Sequence, residues 1–109
     1  MTKTFTGIFT AADISDALML SVERGGLVLT EQQLSADFFD LKTGFAGQVL
    51  QKFVSYRTKL AVIVLDPQVH GGRFGELVSE HRTHPAVRFF TAEQTARQWL
   101  SQMPSGKRK

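Results

Sequence analysis

The 109-residue chain has no cysteine, three prolines, one tryptophan and one tyrosine. Without cysteine there can be no disulfide framework and no thiolate metal site, which fits a reducing compartment. Long apolar runs are also missing. The longest, Leu60 to Leu65, has six residues, whereas a membrane span needs about 20. The N-terminus passes from Lys3 into a polar, Thr-rich stretch rather than an apolar signal segment. No membrane association and a cytoplasmic location are therefore expected. Proline and glycine are too sparse for a low-complexity chain, and 42% of residues are hydrophobic. A chain of this length buries roughly two thirds of its unfolded surface, enough for a core without staples.

A folded basic face is also lacking. The formal charge is +3, but the chain ends in Lys107, Arg108 and Lys109. Removing these leaves ten basic and ten acidic side chains. The excess belongs to a tail, not to a patch of the kind nucleic-acid-binding domains carry. Nucleic-acid contact beyond a weak, salt-sensitive tail interaction is not expected. The chain divides into one α/β domain over residues 1–104 and a basic disordered tail over 105–109.

Hydrophobic periodicity orders the domain as βαβαβαβα. Lys3 to Phe9 reads as a short strand weakened by Gly7. Thr10 and Asp13 have the spacing of a helix cap, and Ile14, Ala17, Leu18, Ser21 and Val22 share a face until Gly25 and Gly26 stop the helix. Gly26 to Thr30 is a short apolar strand, and Glu31 to Asp40 a linker with one irregular turn. Thr43 caps a second helix running to Tyr56, with Phe45, Val49, Phe53 and Tyr56 inward and Ala46 and Leu50 widening that face. Leu60 to Leu65 suits a strand covered on both faces. Arg73 to Arg82 is a third helix, with Phe74, Leu77, Val78 and His81 on one face. Val87 to Phe90 is the last strand. The final helix has capping-box spacing at Thr91 and Gln94 and a stripe of Ala92, Ala96, Trp99, Leu100 and Met103. Alternating strands and helices imply a mainly parallel four-stranded sheet, right-handed crossovers and about four flanking helices.

The most unusual segment is Ser35 to Lys59. Gly44 and Gly47 lie in the first turns of a helix, where glycine costs about 1 kcal/mol relative to alanine. Two readings account for this: tight helix–sheet packing, or exposed amides meeting a partner or anion. Asp37 and Asp40 flank Phe38 and Phe39. Paired carboxylates can work as acid and base, but polar residues around buried aromatics, or caps, explain the spacing equally. Gln48, Gln51, Lys52 and Ser55 form the outer face of this helix, read either as a solvated face or as a recognition surface.

His70 to Glu76 (HGGRFGE) follows the most apolar strand, where parallel sheets place ligands. Gly71, Gly72 and Arg73 could cradle an anion there. The phosphate-loop patterns are absent, so an ordinary surface loop is the competing reading. His81 and His84 have a spacing that can bridge a metal, but Pro85 disturbs the geometry, and no metal site or cofactor is expected. Ser21, Ser55 and Ser79 lack a nucleophile signature.

The run FFDLKTGFAGQVLQKFVSYR, Phe38 to Arg57, resembles the signature of an uncharacterised bacterial family of small domains: F-F-D-L, then T-G-x-A-G, then Q-K-F and a tyrosine. The resemblance extends to Asp16-Ala17-Leu18, Leu60–Val64, Leu77–Glu80 and the last strand and helix. It implies no activity. Ser55 stands where that pattern has asparagine, and Glu80-His81-Arg82 where it has Glu-x-Asn. At fold level, Asp40, Thr43, Gly44 and Gly47 are similar to the D-S-[ST]-G helix opening of STAS domains, of the anti-sigma-factor-antagonist type; Leu41-Lys42 departs from it. That likeness implies a regulatory role, with Thr43 at the position a partner kinase phosphorylates.

The leading expectation is a non-enzymatic regulatory or protein-interaction module, with Asp40, Thr43, Gly44, Gly47, Gln48, Gln51 and Lys52 as its contact surface. Its partner is another protein, with a second copy of the chain as a further candidate. The alternative is a small-molecule or anion-binding protein, or a weak enzyme. It would use the strand ends near Asp40 and Asp66 and the loop Gly71 to Arg73.

Overall fold

The computed structural model of the chain describes residues 5–101. Five α-helices and three strands follow one another: α1 (Ala11–Arg24), β1 (Leu27–Thr30), α2 (Ala36–Phe39), α3 (Phe45–Ser55), β2 (Leu60–Ile63), α4 (Gly72–Glu80), β3 (Val87–Phe90) and α5 (Glu93–Ser101). Single 3-10 turns at Glu31–Gln33, Leu41–Thr43 and Pro67–His70 join some of them. The strands form a parallel sheet in the order β1-β2-β3.

Strand β2 is central and buried along its whole length. This is what an uninterrupted apolar run produces when both sheet faces are covered. The two faces are unequal. Leu27, Leu29, Leu60, Val62 and Val87 join the large core with α1, α2, α3 and α4. Ala61 and Ile63 point the other way, onto Ala96 and Trp99 of α5. Among the described residues, helix α5 covers that face.

The expected first strand is reduced. Residues 3 and 4 lie outside the described part, and in the remainder Ile8 makes one parallel bridge to Leu34. Ile8 N donates to Gln33 O at 2.7 Å, and Ser35 N donates to Ile8 O at 3.1 Å. Gly7 holds a φ of 150°, and a Cβ there would collide with the Gln33 carbonyl. The partner backbone is thus the end of a 3-10 turn rather than a strand. Thr10 then opens α1 two residues on, through the expected cap with Asp13. Three strands, not four, stand among the described residues.

The linker differs too. It winds into α2, which buries Phe38 completely, so five helices rather than four stand among the described residues. Asp40 and Leu41 then lead through a turn to Gly44. Gly44, at φ 76°, is the cap residue of α3, a role expected of Thr43. Tyr56 was expected on the inner face, but it falls just past the end of α3 and is 60% exposed. Helix α4 ends two residues early, at Glu80. Helix α5 starts at Glu93 rather than from a Thr91 cap. Met103 and residues 105–109, the expected end of the stripe and the tail, lie outside the described residues.

Candidate functional site

Two surface depressions bring the unusual residues together. The first runs between α1 and α3. Its polar half, about 470 Å³, is lined by Ser15 and Leu18 of α1 and by Gln48, Gln51, Lys52, Ser55 and Tyr56. Its apolar half, about 450 Å³, continues across Ser15, Leu18 and Tyr56 to Met19 and Val22. Met19 and Val22 are 63% and 60% exposed. This follows from the sequence period. Residues 15, 18, 19 and 22 stack on one side of α1, and residues 48, 51, 52 and 55 do so on α3. Three of the seven expected contact residues, Gln48, Gln51 and Lys52, therefore share one groove.

Gly47 lies exposed on α3, and a Cβ built on it meets nothing within 4 Å. Tight helix–sheet packing is thereby removed as the reason for this glycine. Gly44 likewise has open space, but its left-handed backbone accounts for it.

Thr43 and Asp40 tie the turn before α3. The Thr43 hydroxyl lies 2.7 Å from Asp37 O and 2.9 Å from Asp40 O, and it accepts from Phe45 N at 3.2 Å. Its one proton is shared between the two carbonyls. Asp40 Oδ1 accepts from Lys42 N at 3.1 Å. Thr43 and Gly44 are both exposed. Neither lines the α1–α3 groove.

The second depression, about 480 Å³, sits beyond the carboxyl ends of β1 and β2 and is lined by Glu31, Leu34, Ala36, Phe39, Asp40 and His70. Glu31 is the first residue after β1, and His70 ends the turn that follows β2. His70 Nε2 lies 3.2 Å from Glu31 Oε1. A carboxylate only accepts, so Nε2 carries the proton. The imidazole stacks on Phe39 at 4.0 Å with 15° between planes. Phe39 in turn meets the edge of Phe74 at 5.2 Å, and Phe74 contacts Phe38 and Phe89. A line of rings thus braces this cleft from below.

Of the 70–76 loop, His70 faces the cleft, while Gly71, Gly72 and Arg73 are exposed at the start of α4. Gly71 has a φ of 103° with no neighbour crowding it, so its backbone explains the residue. Sequence reasoning overlooked Glu31 and Phe39 as site residues. The available signal for Glu31 was its place directly after an apolar parallel strand.

The remaining histidines brace the β3 end. His81 Nδ1 donates to Leu77 O at 2.9 Å. His84 Nδ1 accepts from the amides of Ala86 and Val87 at 3.0 and 3.1 Å, which requires that nitrogen to be unprotonated. Burial, then the neighbouring His81 and Arg88, lower the His84 pKa below its ordinary value. Lys59 Nζ and Arg88 Cζ sit 5.1 and 4.8 Å from the centre of the Trp99 ring. Burial and then Arg88 lower the Lys59 pKa. Among the described residues, no group of three or more His, Asp or Glu side chains is placed to hold a metal ion. No helix among them is long and apolar enough to cross a membrane.

Against protein families, residues 2–100 match the family described as a domain of unknown function, DUF4180. The chain belongs to that family. No curated protein and no solved structure matches it. The DUF4180 match spans both depressions and carries no activity to transfer to either.

Proposed function

We propose that this DUF4180 chain is a non-enzymatic, cytoplasmic regulatory module that binds another protein through the groove between α1 and α3. The observation that carries this reading is Gly47. A glycine on an exposed helix lowers helix stability by about 1 kcal/mol relative to alanine, and no contact among the described residues requires it. Backbone left bare on a surface suits close approach by another molecule. Gly47 itself does not line the groove; the α3 wall next to it carries amide donors at Gln48 and Gln51 and a cation at Lys52, and the groove's other half holds the exposed apolar Met19, Val22 and Tyr56. The complementary partner is a protein segment offering apolar side chains to the Met19 end and a carboxylate to Lys52.

A STAS-like relationship agrees with this reading. It rests on Asp40, Thr43, Gly44 and Gly47, and its support is the exposure of Thr43 and Gly44 in the turn before α3. Phosphorylation of Thr43 would remove the hydroxyl proton that now reaches the Asp37 and Asp40 carbonyls. It would thereby loosen the turn that sets the start of α3.

The test compares partners captured by the unaltered chain with those captured by Gly47→Gln and Lys52→Glu. Circular dichroism and thermal unfolding establish that each variant folds. Loss of the same discrete partner from both variants is expected. Capture unchanged by both substitutions sinks the reading, and a partner identified as the chain itself redirects it to self-association.

A further inference from the structure

We infer that the cleft beyond the carboxyl ends of β1 and β2 is a separate binding site for a small organic cation, an ammonium or guanidinium carried on an apolar body. The cleft walls hold two carboxylates, Glu31 and Asp40. Among the described residues, neither carboxylate is paired with a lysine or arginine. Glu31 has one oxygen engaged by His70, and Asp40 has one engaged by the Lys42 amide. The second oxygen of each has no partner among the described residues. Glu31 is also half-buried, so an attractive charge would be weakly screened there.

The rest of the cleft fits the body of such a ligand. Leu34, Ala36 and Phe39 supply an apolar lining for it. His70 adds direction. In the neutral ring, with Nε2–H donated to Glu31, Nδ1 presents a lone pair, and it makes no hydrogen bond to a described residue. A ligand N–H can donate to it. Stacking on Phe39 and edge contacts to Phe74 hold that ring before any ligand arrives. The anion expected from the glycine loop does not suit this place, because the charged groups on its walls are carboxylates.

The site is independent of the α1–α3 groove, and its test leaves that groove intact. The full chain is titrated at pH 7.5 with phenethylamine, with 3-phenylpropionate as the matched anion and 2-phenylethanol as the neutral analogue. Binding is read by calorimetry and by NMR shifts of the His70 and Phe39 ring signals. Saturable binding of the amine alone is expected, with those ring signals moving. Glu31→Gln, which keeps an oxygen for His70, and Asp40→Asn should each weaken it by about tenfold. Lys52→Glu should leave it unchanged. Equal binding of all three compounds, no saturable binding of the amine, or affinity indifferent to both carboxamide variants would overturn the inference.

Discussion

Each half of the α1–α3 groove is similar in volume to the strand-end cleft, and the two regions are opposite in construction. Gln48, Gln51 and Lys52 along the groove make no hydrogen bond or ion pair to another side chain among the described residues. Their neighbours Met19, Val22 and Tyr56 stand largely in solvent. In the cleft, Glu31 holds His70, His70 stacks on Phe39, and Phe39 leans on the buried Phe74. Loose side chains can re-pack against a macromolecule that brings its own shape. A braced site loses little freedom on binding, which is what a small ligand with few contacts needs. The two regions therefore suit ligands of different size.

The largest way to break the comparison is Phe74→Ala. It removes a buried ring that touches Phe38, Phe39, His70 and Phe89. A loss of about 3–5 kcal/mol in urea unfolding is expected, with His70 losing its fixed ring environment by NMR. A loss below about 1 kcal/mol would mean that the cleft is not braced as described.

Next are two serines with opposite surroundings. Ser21, fully buried in α1, donates to Lys59 O at 2.7 Å, so Thr58 must donate to Ser21. Ser21→Ala strands the Thr58 proton and should cost about 1–3 kcal/mol. The Ser35 hydroxyl beside the cleft is buried without a partner among the described residues. Ser35→Ala should be neutral or slightly stabilising in the same unfolding experiment. Similar costs at both positions would contradict the pairing.

The glycines give smaller, opposed shifts. Gly44→Ala forces alanine into a left-handed backbone and should destabilise by about 1–2 kcal/mol. Gly47→Ala should stabilise by about 0.5–1 kcal/mol, because α3 accepts a methyl there without contact. Destabilisation by Gly47→Ala would restore a structural reason for that glycine.

The smallest effect is on pH dependence. The folded pKa of His84 lies below the unfolded value, so the unfolded chain binds more protons between the two. Stability is then fully present above about pH 6.5 and falls as pH drops from there through the folded pKa. Replacing His84 by Gln should flatten this slope. A slope unchanged by His84→Gln would assign it to another group.

Local signals made much of this fold legible. The run LAVIVL yielded a central strand, although it stops at Ile63 and leaves Leu65 exposed; the Thr10–Asp13 spacing yielded a cap, and VRFF the last strand with its observed ends. What escaped was set by tertiary contact. Gly7 and Ile8 pair with a turn created only when the linker folds, so no strand periodicity could announce it. The helix α2 is four residues long, too short to show a period, and exists because Phe38 reaches the core. The expected contact surface was divided for the same reason. Asp40 and Gln48 are eight positions apart, but the turn at Thr43–Gly44 sends them to different depressions. Glu31 and His70 are 39 residues apart and meet only because β1 and β2 lie side by side.

The central claim, that the α1–α3 groove is where a protein partner docks, is tested most directly by site-specific photo-crosslinking. A benzophenone side chain is placed at Gln51 in the groove and, separately, at the exposed Gln98 of α5. The account predicts a discrete protein adduct from position 51 that disappears when Lys52→Glu is added, and none of that mass from position 98. The same adduct from both positions, or one at position 51 that survives Lys52→Glu, would contradict it.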